Sequence, residues 1–460
     1  MRSGAVALGF ALAGGSAASA QERCTLQIDN VDRQGIAVET PQGTNYFAGG
    51  NVRLSCRGTK IRMRSDSVAA YGGNIVHFLG RVHYEDSSLV MDADRGTYYR
   101  ASEQWEARGR VKTRNLNSGS TLAGPSLDYF RVVQGVRDTA EMYAISRPRI
   151  EYVTKDSAVE VSEPYVIVAE RVRIRGDDQL WAGGDVTVDR SDFAARGDSL
   201  RLDTGAADDG SLLGTRPQLR GLGADTFDVA GRRIDFKLDN RDLTYLVATD
   251  SARAVQREWT LVADTIALDV NQREVDLTLA WGDSLRAHAV SPKREIRSDS
   301  LALESPGGAM KEARAFGTAW IGGETDSLSA EREWLAGDTV VARFEPRDSA
   351  GTDSAGTSRT LLTSIRAIGA ARSLTVEPEK SRPKQPTINY ARGDAIVVTM
   401  KPGGSEEVDE VRIRGRVDGV QIEPGADSAS AARPGVPPKP PGGAEPVAGE
   451  PAAPEEPTPP

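Results

Sequence analysis

A serine and a histidine lie four residues apart in the stretch Trp281-Gly282-Asp283-Ser284-Leu285-Arg286-Ala287-His288. These two side-chain types can supply the nucleophile and the base of a hydrolase if they lie within hydrogen-bond reach. On a β-strand, Ser284 and His288 would project from the same face about 13 Å apart, since each residue advances the chain by about 3.3 Å. That distance is too long for proton transfer. We therefore predict no catalytic residues and expect that the chain is not an enzyme.

The other residues with metal-binding side chains are also poorly spaced for a site. His77 and His83 would lie about 20 Å apart along one strand face, and the third histidine is isolated in the sequence. The segment from Asp92 to Glu103 is similar to a calcium loop, but its glycine comes one position early and its third acidic ligand is missing. We interpret Asp92 and Asp94 as strand-end and solvent-facing residues, and we predict no metal and no cofactor.

Two short patterns recur along the chain and place Ser284 in a series. A Gly-x-Val pattern begins at Gly50, Gly80 and Gly109, with spacings of 30 and 29 residues, and it returns at Gly184 and Gly415. An aspartate followed by serine or threonine and an apolar residue occurs at positions 66, 198, 225, 264, 283, 299, 326 and 338. Glycine permits a bend within a strand, and aspartate can bond its own backbone where a strand begins. The patterns indicate a chain that turns at regular intervals.

Apolar and polar residues alternate between these turns with the period of two that is typical of β-strands. In the segment Ile75–Glu85, the side chains of Val76, Phe78, Val82 and Tyr84 share one face, and the other face is mostly charged or polar. We find no convincing helical periodicity between the two ends of the chain. The sequence therefore predicts an all-β fold of short, stacked strands.

The two ends of the chain differ in composition from the middle. Residues 1–20 carry a basic residue at position 2, continue with a short apolar run and end in Ala-Ser-Ala, as a cleavable secretory signal does. The apolar run is shorter than the roughly 20 residues that span a bilayer. Residues 421–460 are rich in Pro, Ala, Gly and Glu, and we predict a disordered tail there. We expect an exported, soluble protein.

The charge and the cysteines narrow the functional classes further. The net charge is −9 and no basic block is present, which argues against a nucleic-acid partner. Cys24 and Cys56 are the two cysteines of the chain. In an oxidising compartment a disulfide between them is the default interpretation, and the alternative is two separate thiols, one of them buried.

The segment SDSVAAYGGNIVHFLGRVHYEDSSLVMDADRGTYYRASEQWEARGRVK resembles the OstA/LptA family of periplasmic lipopolysaccharide-transport proteins, whose related domains occur in LptA, LptC and the periplasmic part of LptD. The resemblance is clearest over about residues 45–145, and weaker similarity continues from about 165 to 420. It rests on an ordered series of short patterns, which comprises Val76-x-Phe78-x-Gly80-x-Val82, Leu89-x-Met91-x-Ala93-Asp94, Gly96-x-Tyr98 and Trp105-x-Ala107-x-Gly109-x-Val111.

The resemblance implies a fold, a location and a set of partners. The fold would be a β-jellyroll, a stacked two-sheet spine, in two consecutive modules: an OstA/LptA-like jellyroll over residues 21–180 and a second OstA-like region over 181–420. The location would be the periplasm, free or associated with the outer membrane. The ligand would be lipopolysaccharide or a lipid A-like amphiphile. Other transport components would bind by edge-strand addition, and copies of the chain would associate end to end.

The apolar residues themselves agree with a role in lipid transport. Each acyl methylene exposed to water costs about 0.8 kcal/mol, so a carrier needs a continuous apolar lining. We predict that the lining includes Val76, Phe78, Val82, Leu89, Met91, Tyr98 and Trp105. Any β-sandwich needs an apolar interior, however, so a structural β-solenoid scaffold of the cell envelope without cargo is the alternative. A polysaccharide-cleaving β-helix would need a cluster of acids that we cannot assemble from the sequence.

Overall fold

The computed structural model describes residues 24–423, except for 154–162, 206, 224–225, 240–241, 324–331, 347–359, 380–381 and 403–406. The predicted signal over residues 1–20 lies outside the described residues. So does the predicted tail, apart from residues 421–423, of which Gln421 and Ile422 belong to a strand.

Thirty strands of the described residues are hydrogen-bonded into one sheet, which confirms the predicted all-β fold of stacked strands. The first ten, β1 to β10, span Leu26–Asn30, Arg33–Thr40, Gly43–Cys56, Arg62–Tyr71, Ile75–Glu85, Leu89–Tyr99, Gln104–Asn115, Thr121–Phe130, Glu141–Ile145 and Arg149–Tyr152. The next ten, β11 to β20, span Tyr165–Val168, Arg171–Arg175, Gln179–Asp189, Phe193–Asp203, Asp209–Leu213, Gln218–Gly221, Phe227–Ala230, Arg233–Asp239, Asp242–Gln256 and Trp259–Asn271. The last ten, β21 to β30, span Glu274–Trp281, Ala287–Val290, Glu295–Ser298, Ser300–Glu304, Glu312–Gly322, Trp334–Pro346, Thr360–Glu379, Arg382–Met400, Val408–Arg414 and Asp418–Ile422. A short 3₁₀ turn, Pro306–Gly308, is the one helical element among the described residues.

The strands form a ladder of antiparallel levels, which we call rungs. From β3 to β8 each rung is a single strand that pairs with the next strand of the chain. Later rungs are often split into two short strands, so that β9 and β10 both pair with β8, and β11 and β12 both pair with β13. The predicted boundary between residues 180 and 181 falls within β13, and the ladder continues across it.

Each long rung bends near its middle, at a corner. Between β5 and β6 the pairing register shifts at Leu79 and Val82, where Gly80 has a φ of 74° and Arg81 a φ of 44°. A glycine with positive φ followed by a residue unpaired in the ladder is a β-bulge that bends its strand. The other glycines of the Gly-x-Val pattern also have positive φ, namely Gly50, Gly109, Gly184 and Gly415. Four of these five glycines lie within a bent strand, and Gly415 lies between β29 and β30.

The aspartate pattern marks the same corners on the neighbouring rungs. Asp66 lies directly against Gly80, and a Cβ atom at residue 80 would overlap the Asp66 carboxylate. The Arg81 guanidinium donates to Asp66 Oδ1 through Nε at 2.9 Å, and this hydrogen bond holds the pKa of Asp66 below its ordinary value. The same contact between an aspartate and a glycine recurs at Asp94 and Gly109, Asp198 and Gly214, Asp299 and Gly317, and Asp338 and Gly369. Our interpretation of Asp94 as a strand-end residue was therefore wrong, because it lies at the corner of β6.

The bends divide the sheet into two halves that face each other across an apolar interior. We call the half of the sheet that contains Phe78 half A and the half that contains Tyr84 half B. In β5 the buried residues alternate on both sides of the corner, so that both of these side chains point inward. The buried apolar residues form one continuous cluster that extends along the chain from Cys24 to Ile396. The fold is thus a single long sheet folded lengthwise around one core.

Replacing Gly80 by alanine is expected to destabilise the corner beyond the cost of backbone strain. Positive φ costs a residue with a Cβ atom about 1–2 kcal/mol, and at residue 80 the new methyl group also displaces Asp66. Gly58 is a matched control, because its φ is also 74° but a Cβ atom there would meet no atom within 4 Å. Urea unfolding should show a larger loss of stability for Gly80→Ala than for Gly58→Ala. Equal losses for the two variants would contradict the close contact with Asp66.

Candidate functional site

The interior between the two halves is the candidate site, and the seven residues predicted to line it all face it. Val76, Phe78 and Val82 lie on β5, and their neighbours on β6 and β7 are Leu89, Met91, Tyr98 and Trp105. The alternation of strand side chains turns all seven inward, and none is more than 3% exposed. The structure therefore brings these residues together in the core.

Trp105 is the centre of an aromatic cluster in this interior. Its ring centroid lies 5.0 Å from that of Phe78 and 5.5 Å from that of Tyr98, which both belong to half A. The ring of Tyr84, which belongs to half B, lies 4.8 Å away and itself contacts Tyr129 at 6.1 Å. Such pairs contribute beyond the area that they bury. The cluster joins the two halves, and it includes two tyrosines that the sequence did not identify as lining residues.

The edges of halves A and B that lie away from the corners form the open side of the fold. A buried ion bridge closes this side next to the aromatic cluster. Asp86 precedes β6 and Glu103 follows it, so a straight β6 would hold them more than 30 Å apart at roughly 3.3 Å per residue. The Arg131 guanidinium nevertheless lies 2.6 Å from the Glu103 carboxylate and 3.6 Å from the Asp86 carboxylate. Arg131 therefore connects the outer edges of halves A and B. Its side chain is 13% exposed, and the two carboxylates are almost completely buried.

Tyrosine hydroxyls complete the hydrogen bonding of the two buried carboxylates. Tyr84 and Tyr129 both donate to Asp86 Oδ2, at 2.7 and 3.0 Å, and Tyr98 donates to Glu103 Oε2 at 2.6 Å. Burial raises the pKa of the Tyr84 hydroxyl well above its ordinary value, and the nearby Asp86 charge raises it further. Burial also raises the pKa values of Tyr98 and Tyr129. The phenols therefore stay protonated at neutral pH and act as donors.

The start of the described chain is attached to the same network. Cys24 and Cys56 are joined in a disulfide, with their Cα atoms 5.0 Å apart. The Cys24 backbone N–H donates to Glu103 Oε1 at 2.9 Å, and the Arg100 side chain donates to the Cys24 carbonyl at 2.8 Å. The disulfide thus fixes the N-terminal segment over the ion bridge.

Contacts of the same kind close the open side further along the ladder. Asn115, at the end of β7 in half B, donates to Asp177 beyond β12 in half A at 2.7 Å. Arg190, between β13 and β14, lies 3.4 Å from Asp242 at the start of β19. We call the bridges Arg131–Asp86, Asn115–Asp177 and Arg190–Asp242 the closing contacts. They are polar, and each joins the edges of the two halves.

Little free volume remains between the two halves at the rungs that carry the closing contacts. A cavity lined by Thr113, Leu122 and Ile150 among others measures about 20 Å³. Another, lined by apolar residues that include Ile167 and Leu212, measures about 10 Å³. Each is about the size that holds one water molecule. The seven predicted lining residues are packed against their neighbours, and their contact with a lipid stays a prediction.

The apolar interior is uncovered at its C-terminal end. Val411 and Val408, on β29, pair with Val398 and Met400 on β28, which pack against the core from the inner face. Val408 is 47% exposed and Val411 is 45% exposed. In the described part of the chain, β29 and β30 pair with β28 alone, so their outer backbone edges are free. The core therefore ends in an accessible apolar surface next to unpaired strand edges.

Ser284 occupies a corner loop between β21 and β22, and our assumption that it lies on a strand was wrong. Its backbone N–H donates to Asp264 Oδ2 at 2.8 Å, and the next N–H donates to Asp264 Oδ1 at 3.0 Å. His288 is on β22, where Nε2 lies 2.8 Å from Glu295. The segment from Gly282 to Leu285 is thus one of the aspartate-held corners.

The candidate metal residues are distributed among unrelated contacts. His77 Nδ1 lies 3.0 Å from Thr97 Oγ1, and His83 Nδ1 lies 2.7 Å from Asp92. Asp94 binds Arg110 at a corner, whereas Glu103 belongs to the buried ion bridge. Across residues 24–423, within the described ranges, no group of three or more metal-binding side chains occurs.

Comparisons with known proteins give few matches. No protein-family model matches the sequence, and no curated protein matches it. Among the described residues, no helix is long and apolar enough to cross a membrane. One solved structure that is similar to part of this chain is LptH from Pseudomonas aeruginosa, described as the LptA-homologous periplasmic component of the lipopolysaccharide transport device. The similarity covers 28% of this chain and 94% of the LptH chain, with 17% sequence identity and a TM-score of 0.24.

Proposed function

We propose that this protein is a lipid-binding bridge of the periplasm that takes part in lipopolysaccharide transport to the outer membrane. The acyl chains of lipopolysaccharide or a similar amphiphile would lie in the apolar interior between halves A and B. The observation that carries the proposal is the continuity of that interior, which extends along the ladder and is uncovered at β29. An uninterrupted apolar track is what several acyl chains need, because each exposed methylene costs about 0.8 kcal/mol.

Entry of a lipid requires the halves to separate, and the closing contacts suit such a movement. They consist of polar groups, and the edges of the halves can exchange these bonds for bonds to water when they part. The aromatic and aliphatic residues behind them would then exchange contacts with one another for contacts with acyl chains. The uncovered surface of Val408 and Val411 supports entry from the C-terminal end, where part of the interior is already accessible.

The free strand edges at both ends support the proposed partners. β1 and β2 pair with β3, and β29 and β30 pair with β28, so each end presents unpaired backbone groups in the described part of the chain. A strand of another transport component, or of a second copy, can pair with such an edge. Ile36 on β2 and Ile422 on β30 are exposed apolar residues that an added strand would cover.

Photocrosslinking at paired positions tests the lipid site. A photoreactive residue in place of Val411, on the inner face of β29, is expected to capture lipopolysaccharide. The same residue in place of Arg412, which points to the opposite face and bonds Glu410, is the matched control and should not. Deeper in the interior, Phe78 should be labelled and the outward His77 should not, provided that the halves separate. Equal labelling within each pair, or no labelling at any position, would remove the transport proposal.

A structural spine of the cell envelope without cargo is the second candidate. It is favoured by the dense packing of the interior, where the cavities described above measure about 20 and 10 Å³. The two candidates differ in what the purified protein retains. Mass spectrometry of the gently purified mature protein should detect a bound amphiphile if the protein carries lipid, and a lipid-free protein whose interior stays protected from hydrogen exchange would favour the spine.

A further inference from the structure

A groove on the outer surface of the sheet is independent of the interior. It has a volume of about 690 Å³, which is within the range of about 300–1,000 Å³ that is typical of ligand sites. It crosses β9, β12, β13, β14, β15 and β18, which are neighbours in half A. The groove is deepest over the central strands, because three small residues occupy outward positions there, namely Gly183, Ser199 and Ser211.

The groove is lined by four arginines, and the described residues that line it include no aspartate or glutamate. Three of the arginines form ion pairs with acidic residues at the rim of the groove. Arg173 binds Glu141, Arg201 binds Asp209 and Arg233 binds Asp235. Arg171 forms no ion pair within the described residues. Its guanidinium lies across Gly183, where a Cβ atom would come within 3.2 Å of Nε. Gly183 therefore gives Arg171 room against the sheet, with its charge available to a ligand.

Aromatic and apolar side chains lie beside these charges. The Arg173 guanidinium is stacked between the rings of Tyr143 and Trp181, at 5.4 and 5.2 Å from their centroids. Ile145, which pairs with Arg171, is 58% exposed at one edge, and Leu213 is 38% exposed at the other. The groove thus combines a cation with no ion pair among the described residues, hydroxyl groups and exposed apolar surfaces.

We propose that this groove binds an anionic saccharide. Arg171 would take its phosphate or carboxylate group through charge-assisted hydrogen bonds, as guanidinium groups do with planar or tetrahedral anions. The serine hydroxyls would bond sugar hydroxyls, and the apolar faces of the sugar rings would pack on Trp181 and Leu213. A nucleic acid fits less well, because the chain as a whole carries a net charge of −9. The saccharide can come from the headgroup of an amphiphile or from a free polysaccharide.

Calorimetric titration of the mature protein with three probes separates recognition of the anionic saccharide from recognition of acyl chains. The probes are the deacylated, phosphorylated oligosaccharide of lipopolysaccharide, the same oligosaccharide after removal of its phosphates, and intact lipopolysaccharide. The phosphorylated oligosaccharide should bind, and removal of its phosphates should weaken binding at least tenfold, the loss expected for one charge-assisted hydrogen bond. Binding of intact lipopolysaccharide with no binding of the oligosaccharide would overturn the proposal.

Two variants assign the binding to the groove. Arg171→Gln should weaken binding of the phosphorylated oligosaccharide about tenfold or more, whereas Arg64→Gln, which removes another exposed, outward arginine on β4, should leave it unchanged. Equal affinities of the two variants would overturn the groove assignment. Crosslinking of lipid at Val411 should be the same in both variants, because the groove and the interior lie on opposite faces of the sheet. A failure of the groove proposal is thereby distinguishable from a failure of the transport proposal.

Discussion

Substitution of Arg131 by methionine is expected to lower the free energy of unfolding by about 3–5 kcal/mol, which is the usual cost of removing one partner of a buried ion pair. The variant leaves the Asp86 and Glu103 carboxylates buried without their cation, and their side chains are only 5% and 4% exposed. Methionine keeps much of the length and volume of the arginine, so the loss reports the charge rather than a cavity. Denaturant unfolding followed by tryptophan fluorescence measures the change.

An exposed ion pair of the same fold provides the control for this prediction. Arg81 binds Asp66 at a corner, but its side chain is 85% exposed, and exposed ion pairs add little to stability because water screens their attraction. Arg81→Met should therefore cost much less than Arg131→Met. Adding Glu103→Gln and Asp86→Asn to Arg131→Met should restore part of the stability, since neutral side chains are less costly to bury. Similar losses for the two arginine variants would show that the closing contact at Arg131 is not buried in solution.

Replacing Trp105 by alanine should cost about 3–5 kcal/mol, as expected for removal of a large, fully buried aromatic side chain. Trp105 is completely buried and contacts rings from both halves of the sheet. Its loss therefore leaves a cavity and separates Tyr84 from Phe78. The midpoint of denaturant unfolding measures the effect, with Trp281→Ala as the control, because Trp281 is 42% exposed at the end of β21.

The Trp105→Phe variant distinguishes ring packing from hydrogen bonding. The indole Nε1–H is buried and has no partner among the described residues, so phenylalanine removes an unsatisfied donor and keeps an aromatic ring in the cluster. Trp105→Phe should cost clearly less than Trp105→Ala. An equal cost for both would indicate that the indole N–H is bonded in solution, contrary to the structure.

Local sequence patterns were sufficient to predict the strands and their inner faces. Period-two alternation placed Val76, Phe78 and Val82 on one side of a strand, and all three are buried. The recurring glycines were expected to bend strands, and Gly80 does so within β5. The aspartates were expected where strands begin, whereas Asp66 lies within β4, because the contact that matters joins it to Gly80 on the neighbouring rung. The sequence pattern alone contains no pairing register, and the register brings these two residues together.

The buried ion bridge could not have been predicted from the same patterns. Asp86 and Glu103 lie in turns, where acidic residues are usually solvated. The sequence indicated Glu103 only as part of an incomplete calcium loop. Their burial arises because β6 folds back on itself and brings both of its ends to Arg131. The outer groove depends in the same way on the alignment of several strands. Arg171, Gly183 and Ser199 become neighbours only through that register.

The aspartate–glycine corner has a consequence for how the molecule can vary in length. The contact joins rungs that are neighbours in the ladder, so each hairpin that contains an aspartate–glycine pair carries its own joint. Duplication or loss of one hairpin in the gene would preserve the direction of the remaining strands and leave the other joints intact. Relatives with longer or shorter ladders could therefore arise by insertion or deletion of whole hairpins. The same corner residues would be repeated in each added rung, as repeat proteins grow by whole units.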